Sequence, residues 1–477
     1  MPRHVLLWNI TIVGDAAYML LMNSSEVPHP ARVLQEETFG VRIYLGVCQF
    51  FVKLSVFGLL FASLHPYTHQ MGTTKNAAIG FIFITLTIDV IGWGLIIPVM
   101  PELLVELKHI PLNETSKYGG YLVSVFAAMQ FLFAPLMGNL SDRFGRRPVI
   151  LISLLGFCVD YIILALAHNY ELLFAGRILA GITGASFTAA SAYIADISTD
   201  ENRAKNFGLI GAAFGLGFVL GPALGGLLAG WGLRAPFYAA AILCFVNFLY
   251  GYFVLPESLK QENRRPFEWK KANPVGSLMF LRKHTTIAGL VIAFVCIYLA
   301  AHAVQSNWNY FTMYVFDWTE KQVGFSLAIV GILVAAVQGG LIRFVNPRLG
   351  DERSAYAGLL LYAIGLTLFA FATQSWMMYV FLIPYCLGGI SGPALQSIIT
   401  KHVPKNEQGL LQGSLTSLMS LTSIFGPLIM TRLFYYATLR ESTIHFPGAP
   451  FLLGAVLMLV SIFLSWRVLS KERKGNT

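Results

Sequence analysis

Asp89 lies in Thr87-Ile-Asp89-Val-Ile-Gly92-Trp93-Gly94, inside a stretch otherwise apolar enough to cross a bilayer. An ionisable side chain near the bilayer centre costs about 2.5 to 3.5 kcal/mol on insertion scales, so it lines a cavity or finds a partner. Such a carboxylate can load a proton on one side of the membrane and release it on the other. Its bland alternative is a structural hydrogen bond to a neighbouring helix. The flanking glycines permit close packing or a break, and Trp93 offers a flat face to an aromatic ligand. Asp160, next to Tyr161, is a second carboxylate of this kind. Arg177 either pairs with one of these aspartates and tunes its protonation, or snorkels to the membrane surface as long side chains do.

These groups need helices to carry them across a membrane. With 56% hydrophobic and 12% charged residues in 477 and a mean hydropathy of +0.64, the chain is a polytopic membrane protein rather than a soluble one. Its net charge of +9 falls in loops between apolar segments, which marks topology and not nucleic-acid affinity. Windows of about 20 residues give spans at 78–100, 120–140, 147–167, 171–195, 206–230, 236–255, 287–313, 321–344, 354–373, 376–399, 408–432 and 449–467. This divides the chain into an N-terminal six-helix bundle at 76–256, a basic linker at 257–286, a C-terminal bundle at 287–470 and a basic tail at 471–477. Basic residues follow the even-numbered spans, so those loops and the C-terminus are expected in the cytoplasm. Cys48, Cys158, Cys244, Cys296 and Cys386 lie singly in apolar stretches and read as packing residues, with no metal spacing.

Residues 1–70 match neither bundle. Their apolar run from Val41 to Leu64, broken by Lys53, would be a thirteenth helix that puts Arg32 and Arg42 on the wrong side. Met71 precedes the first bundle helix as a start would, and the preceding stretch is expected to be an upstream artefact or a poorly packed appendage.

The two bundles repeat one another at one offset. Adding 205 carries Arg143 to Arg348, Gly145 to Gly350, Gly184 to Gly389, Ser186 to Ser391, Gly208 to Gly413, Gly221 to Gly426 and Pro222 to Pro427. A duplicated six-helix unit, its copies related by an axis along the membrane normal, accounts for all of them.

Between the second and third spans, Gly138-Asn-Leu-Ser-Asp142-Arg143-Phe-Gly145-Arg146-Arg147-Pro148 reverses the chain within a few residues. This turn resembles the loop motif of the major facilitator superfamily, and Gly217-Phe-Val-Leu-Gly221-Pro222-Ala-Leu-Gly225-Gly226 resembles that superfamily's antiporter motif. With Ala175-Gly-Arg177-Ile-Leu-Ala-Gly-Ile-Thr-Gly-Ala, Ala192-Tyr-Ile-Ala-Asp196-Ile, Cys158-Val-Asp160-Tyr161 and Leu411-Gln-Gly-Ser414, residues 76 to 470 resemble the tetracycline/proton antiporter family.

The resemblance implies an all-α membrane fold of twelve helices in two pseudo-twofold bundles. It also implies export of amphipathic drug-like molecules in exchange for protons. Asp160 falls on a family position implicated in transport. The motif face of Gly217, Gly221 and Gly225 is expected either to seal the two halves against each other or to provide ordinary small-residue packing. Asp142, Arg143, Arg146 and Asp196, with Arg147 and Arg203 nearby, are expected to form a cytoplasmic ion-pair cluster that breaks and re-forms as the halves rock.

The second half departs from the pattern. The family's eighth-helix histidine falls on Val334 and its ninth-helix aspartate on Tyr362, which leaves Gln338, His302, Gln305 and Asn307 as the polar candidates. His302 is a candidate for proton handling because its reference pKa is near neutrality, against a structural role in packing. Tetracycline itself is therefore less secure as cargo than proton-coupled export.

No Walker-type phosphate loop supports a primary pump, and the intramembrane charges are too scattered for an enzyme site. A symporter for a sugar or an endogenous metabolite is the alternative, since Pro256-Glu257-Ser258 also occurs in sugar carriers. The expectation is a multi-pass exporter of the inner membrane, monomeric, driven by the proton gradient without cofactor or metal. Trp93, Tyr193, Trp308 and Tyr362 are its candidate cavity aromatics.

Overall fold

The computed structural model describes residues 75–184, 186–199, 202–265, 288–404, 407–442 and 445–475. Residues 1–70 and most of the 257–286 linker lie outside that set. The first half comprises α1 (Lys75–Ile96), α2 (Met100–Lys108), α3 (Leu112–Phe144), α4 (Arg146–Leu166), α5 (Tyr170–Thr183), α6 (Ser186–Ile197), α7 (Arg203–Leu228) and α8 (Ala235–Val254). The second comprises α9 (Ala288–Phe316), α10 (Glu320–Ala336), α11 (Ile342–Ala370), α12 (Ser375–Leu387), α13 (Ser391–Lys401), α14 (Gln408–Thr438) and α15 (Ala449–Gly475).

Local chemistry sets several of the ends. Asn169 caps α5 by accepting from the Leu172 amide, and Thr319 with Gln322 forms a reciprocal capping box on α10. Pro101 and Pro236 occupy the opening turns of α2 and α8, where a missing N–H costs nothing.

Among the described residues, eleven helical stretches are long and apolar enough to span a membrane. One of them, Glu320–Ala370, is 51 residues long. At about 1.5 Å per residue it exceeds twice the hydrocarbon thickness of about 30 Å, so it supplies two crossings and the total is twelve. The eighth and ninth spans part at Gly350, where a φ of 77° turns the chain, and a π turn at Val337–Leu341 lies within the eighth.

The duplication extends to these irregularities. Gly145, which separates α3 from α4 at φ 109°, maps onto Gly350, and both hold a left-handed backbone that favours glycine. The fourth span breaks at Gly184 and the tenth at a 3-10 turn, Gly388–Ile390, which contains the counterpart Gly389. The freed carbonyls find partners in different ways: Gln130 Nε2 donates to the Gly184 carbonyl, whereas Ser391 Oγ donates to that of Gly388.

Each half packs around its own apolar clusters. The halves meet along α3 with α14 and along α7 with α10. Gly226 of α7 lies against the Glu320 and Lys321 backbone, Pro222 against Gly324, and Val219 against Gly331. Further along, Gly215, Gly211 and Gly208 of α7 and Gly339 and Gly340 have nothing within 4 Å of where a Cβ would stand. On the other side Asn113 donates to the Thr438 carbonyl, Ser116 to that of Thr431, and Arg432 to the Tyr121 hydroxyl. Gly413, towards the start of α14, is again open. The halves are thus sealed at the end carrying Asn113 and Glu320, here the far end, and diverge towards the end carrying the Gly138 to Pro148 turn.

Candidate functional site

Asp160 of α4 and Arg177 of α5 form a buried ion pair inside the first half, with residue exposures of 0% and 5%. Gly176 provides the room for the pair: a Cβ there would stand 2.8 Å from Asp160 Oδ1. Asp160 Oδ1 and Arg177 Nε have no hydrogen-bond partner among the described residues. The guanidinium lies 6.0 Å from both the Phe126 and Tyr161 ring centres. Tyr161 in turn reaches α1, its hydroxyl 2.9 Å from where a Gly92 Cβ would be. Asp89 sits one turn before Gly92 on the same helix. The structure therefore gathers Asp160, Arg177 and the helix of Asp89 around one tyrosine. A charge pair held in low dielectric resists separation, and losing one partner typically costs about 3 to 5 kcal/mol.

At the turn-bearing end, Arg146 Nη1 donates to Asp142 Oδ1 at 2.5 Å and to Ser141 Oγ at 3.1 Å, while its Nε donates to Asp196 Oδ2 at 3.1 Å. Arg143 turns outward and lies over the Phe144 ring instead of joining them. Arg147 donates to the Tyr252 carbonyl at 2.6 Å. The side chain of Arg203 is outside the described residues. Gly138 faces Thr188 of α6 with ordinary clearance, the threonine methyl lying 3.8 Å from where a Cβ would stand.

Sequence reasoning missed Glu257, which completes this cluster. Its carboxylate accepts from the backbone amides of Arg146 at 2.9 Å, Arg147 at 3.2 Å and Leu259 at 3.0 Å, capping the N-terminus of α4. Ser258 donates to Asp196 at 3.0 Å. A side chain on Gly145 would meet the Glu257 carboxylate, a second reason for glycine there. The available signal was the Pro256-Glu257-Ser258 phrase, which names no partner.

The antiporter-motif face is divided between two neighbours. Gly217, Gly221 and Gly225 pack on Val90, Gly94 and Leu95 of α1 in the same half. The contact with the other half is made by Val219, Gly226 and the Pro222 carbonyl against α10, while the Pro222 ring packs on Gly94 of α1. The reason is angular: residues four apart share one face, and the next residue along points about 100° away.

The cavity aromatics separate likewise. Trp93 is 38% exposed and lies 6.3 Å from Phe218. Tyr193 is buried in the first half's packing with its hydroxyl on the Pro256 carbonyl, and Trp308 is buried with its indole N–H on Ser326. Neither lines an open surface, because each indole or phenol donor is satisfied inside its own half. Tyr362 packs edge to face on Tyr385 beneath Gly388. Exposed Phe187 and Phe214, which meet edge to face at 5.2 Å next to the open Gly211 and Gly215, are aromatics that sequence reasoning overlooked.

In the second half, His302 packs on Gly426 of α14, Asn307 is fully buried, and Gln338 is exposed on the π turn. None of them joins the Asp89, Asp160 and Arg177 group. The far-end residue that matters is Asn309, two positions beyond Asn307: it donates across the halves to the Ile97 carbonyl at 3.0 Å. Beside it, the hydroxyl of Tyr310 occupies the space a side chain on Gly119 would fill.

Comparison with known proteins agrees with this architecture. The model of the Major Facilitator Superfamily matches residues 82–354 and 341–477. The class C tetracycline resistance protein of Escherichia coli is 43% identical over 388 residues, 81% of this chain and 96% of that protein. Among solved structures, the human organic anion transporter MFSD10 (TETRAN) aligns with a TM-score of 0.63 at 24% identity, covering 82% of this chain and 99% of its own. A bacterial homologue of the human lysosomal transporter Spinster, solved inward-facing and unoccupied, aligns with a TM-score of 0.66 at 13% identity over 83% of this chain and 96% of its own.

Proposed function

The chain belongs to the major facilitator superfamily and, within it, to the tetracycline/proton antiporter family, and from that membership we propose that it exports tetracycline-like or other amphipathic drug-like molecules in exchange for protons. The observation that carries the reading is the sealed Asp160–Arg177 pair, linked through Tyr161 to the Asp89-bearing helix. A membrane protein gains nothing in stability from burying two charges that an apolar pair would replace at lower cost. Retaining them is intelligible if one must take up and release a proton. Arg177 holds Asp160 in the pair until helix movement separates them, and Asp89 supplies a second carboxylate on the helix that Tyr161 touches.

The concentration of basic residues in these turns supports a cytoplasmic position for the Gly138 to Pro148 end. The conformation described is then open to the cytoplasm and closed outside, the state that accepts cargo for export. Trp93, Phe187, Phe214 and Phe218 give the first-half wall an aromatic character suited to flat, amphipathic cargo. A single chain with the proton gradient as its energy source meets these requirements, with no cofactor involved. The C-terminus lies on the cytoplasmic side.

The test is drug susceptibility of an efflux-deficient bacterial host expressing the chain, together with drug-driven proton movement in everted vesicles. Expression is expected to raise tetracycline tolerance, and Asp89→Asn to abolish both readouts while the protein still reaches the membrane. Asp160→Asn strands Arg177 and is expected to lower stability by about 3 to 5 kcal/mol as well. Resistance that survives Asp89→Asn would remove Asp89 from the proton path. An absence of resistance to any compound would return the sugar or metabolite carrier to first place.

A further inference from the structure

The offset of 205 that relates the halves carries Arg146 to Asp351 and Asp196 to Lys401. The structure pairs both sets: Arg146 Nε with Asp196 Oδ2 at 3.1 Å, and Lys401 Nζ with Asp351 Oδ2 at 2.7 Å. The ion pair is duplicated in position and inverted in sign. A faithful copy would have set a carboxylate opposite a carboxylate at the ends of α6 and α13. The inversion sets a carboxylate opposite an ammonium.

Those two ends are placed to meet. α6 touches α3 and α7, the two helices that join its half to the other, as well as α4 and α1. α13 packs on α11 and α9 as α6 does on α4 and α1, and its Gln396 donates at 2.8 Å to Gln412 of α14, one of the helices that join the halves. Both ends belong to the side where the halves now diverge.

Each group that would be deserted has a second partner. Arg146 keeps Asp142 at 2.5 Å and Ser141 at 3.1 Å. Asp351 keeps Ser397 at 2.7 Å. The Lys401 side chain is 68% exposed, and Asp196 borders an open cavity of about 560 Å³ shared with Arg264 and Arg265. Neither is locked in place.

We propose that closing the turn-bearing end moves Lys401 from Asp351 to Asp196, so that an ion pair within each half is exchanged for one between the halves. Lys401 and Asp351 are then positioning residues of the transport cycle. Partner exchange keeps the number of charge contacts nearly constant, which holds the two states close in free energy, as alternating access requires. This rests on the reading of the chain as an alternating-access carrier, but not on the identity of its cargo.

The decisive variant is the double reversal Asp351→Lys with Lys401→Asp. It preserves the pair within the second half and makes the contact with Asp196 repulsive. Transport is expected to fall, and the far-end cross-link between Ser116→Cys and Thr431→Cys to rise, each by about tenfold, the scale of turning one exposed attraction into a repulsion. Lys401→Arg is expected to stay near the parent protein. In a background lacking the five native cysteines, Asp196→Cys with Lys401→Cys is expected to cross-link through a short bifunctional maleimide only when the far end opens. Cross-linking in membranes needs no drug, so a wrong guess about cargo would not affect it. A reversed pair that transports and partitions as the parent protein does, or positions 196 and 401 that never cross-link when the far end opens, would overturn the proposal.

Discussion

The two ends of the molecule close by different chemistry. At the far end the halves are joined mostly by neutral contacts, Asn309 on the Ile97 carbonyl, Ser116 on that of Thr431 and Asn113 on that of Thr438, with Arg432 on the Tyr121 hydroxyl the charged exception among those described. Small residues let the backbones approach there, with Gly226 against Glu320 and Gly119 and Gly120 against Tyr310 and Thr431. At the turn-bearing end the strong contacts are ionic and confined within each half, Arg146 to Asp142 and Asp196, Lys401 to Asp351. A seal of close backbones is dry and depends on shape. Ion pairs held inside each half let the ends part into water without exposing an unpaired charge. The far end is therefore sensitive to volume, and the turn-bearing end to charge.

The largest effect should come from volume. Gly226→Val places methyl groups where a Cβ alone would stand 2.5 Å from the Glu320 carbonyl oxygen and 3.0 Å from Lys321 Cα, backbone that cannot swing aside. Overpacking of this kind costs about 1 to 3 kcal/mol, enough to shift the balance of states by about tenfold or more. A cysteine at Ser116 should become reactive to an impermeant maleimide from outside, and export should fall. An unchanged labelling rate would mean that the far end is not held by backbone proximity.

Removing the Glu257 cap at the other end, which stays within one half, should act less on conformation than on stability. Glu257→Ala removes the carboxylate that accepts from the Arg146, Arg147 and Leu259 amides. Loss of an N-terminal cap costs about 0.5 to 2 kcal/mol. The melting temperature of the purified protein should drop by a few degrees while the far-end labelling stays as it was. Glu257→Gln, which keeps a carbonyl acceptor, should recover part of the loss.

The same division governs what was legible beforehand. The twelve spans, the two halves and the Arg146 contacts to Asp142 and Asp196 follow from apolar length and from charges that stand out against an apolar background. The 205 offset even located the matching left-handed glycines at 145 and 350. Glu257 escaped because its partners are backbone amides, which every residue has and no composition marks. Asn309 escaped because its acceptor, the Ile97 carbonyl, is 212 positions away. Tyr193 and Trp308 read as cavity residues because an aromatic in a membrane helix looks alike in sequence whether it faces a neighbour or a lumen. The split of the Gly217 to Gly226 motif between α1 and α10 depends on which way the helix is rotated, and spacing alone leaves that open.

The smallest effect tests whether the far end, neutral across most of its seam, also responds to charge. Glu102 on α2 is held above the ordinary carboxylate range, first by burial and then by the charge of Glu320 in the other half. A carboxyl whose value is raised in one state binds more protons there, so acid favours that state. The contribution is complete below the ordinary value and is lost as pH rises through the raised one. Outside pH falling from about 7 towards 5, near and above the ordinary carboxylate range, should therefore tighten the closed far end, and rising pH should loosen it. The Ser116→Cys with Thr431→Cys cross-link, measured across that range in proteoliposomes, should increase with acid in the parent protein and flatten in Glu102→Gln. An equal slope in both would assign the acid response to another group and leave the far end governed by shape alone.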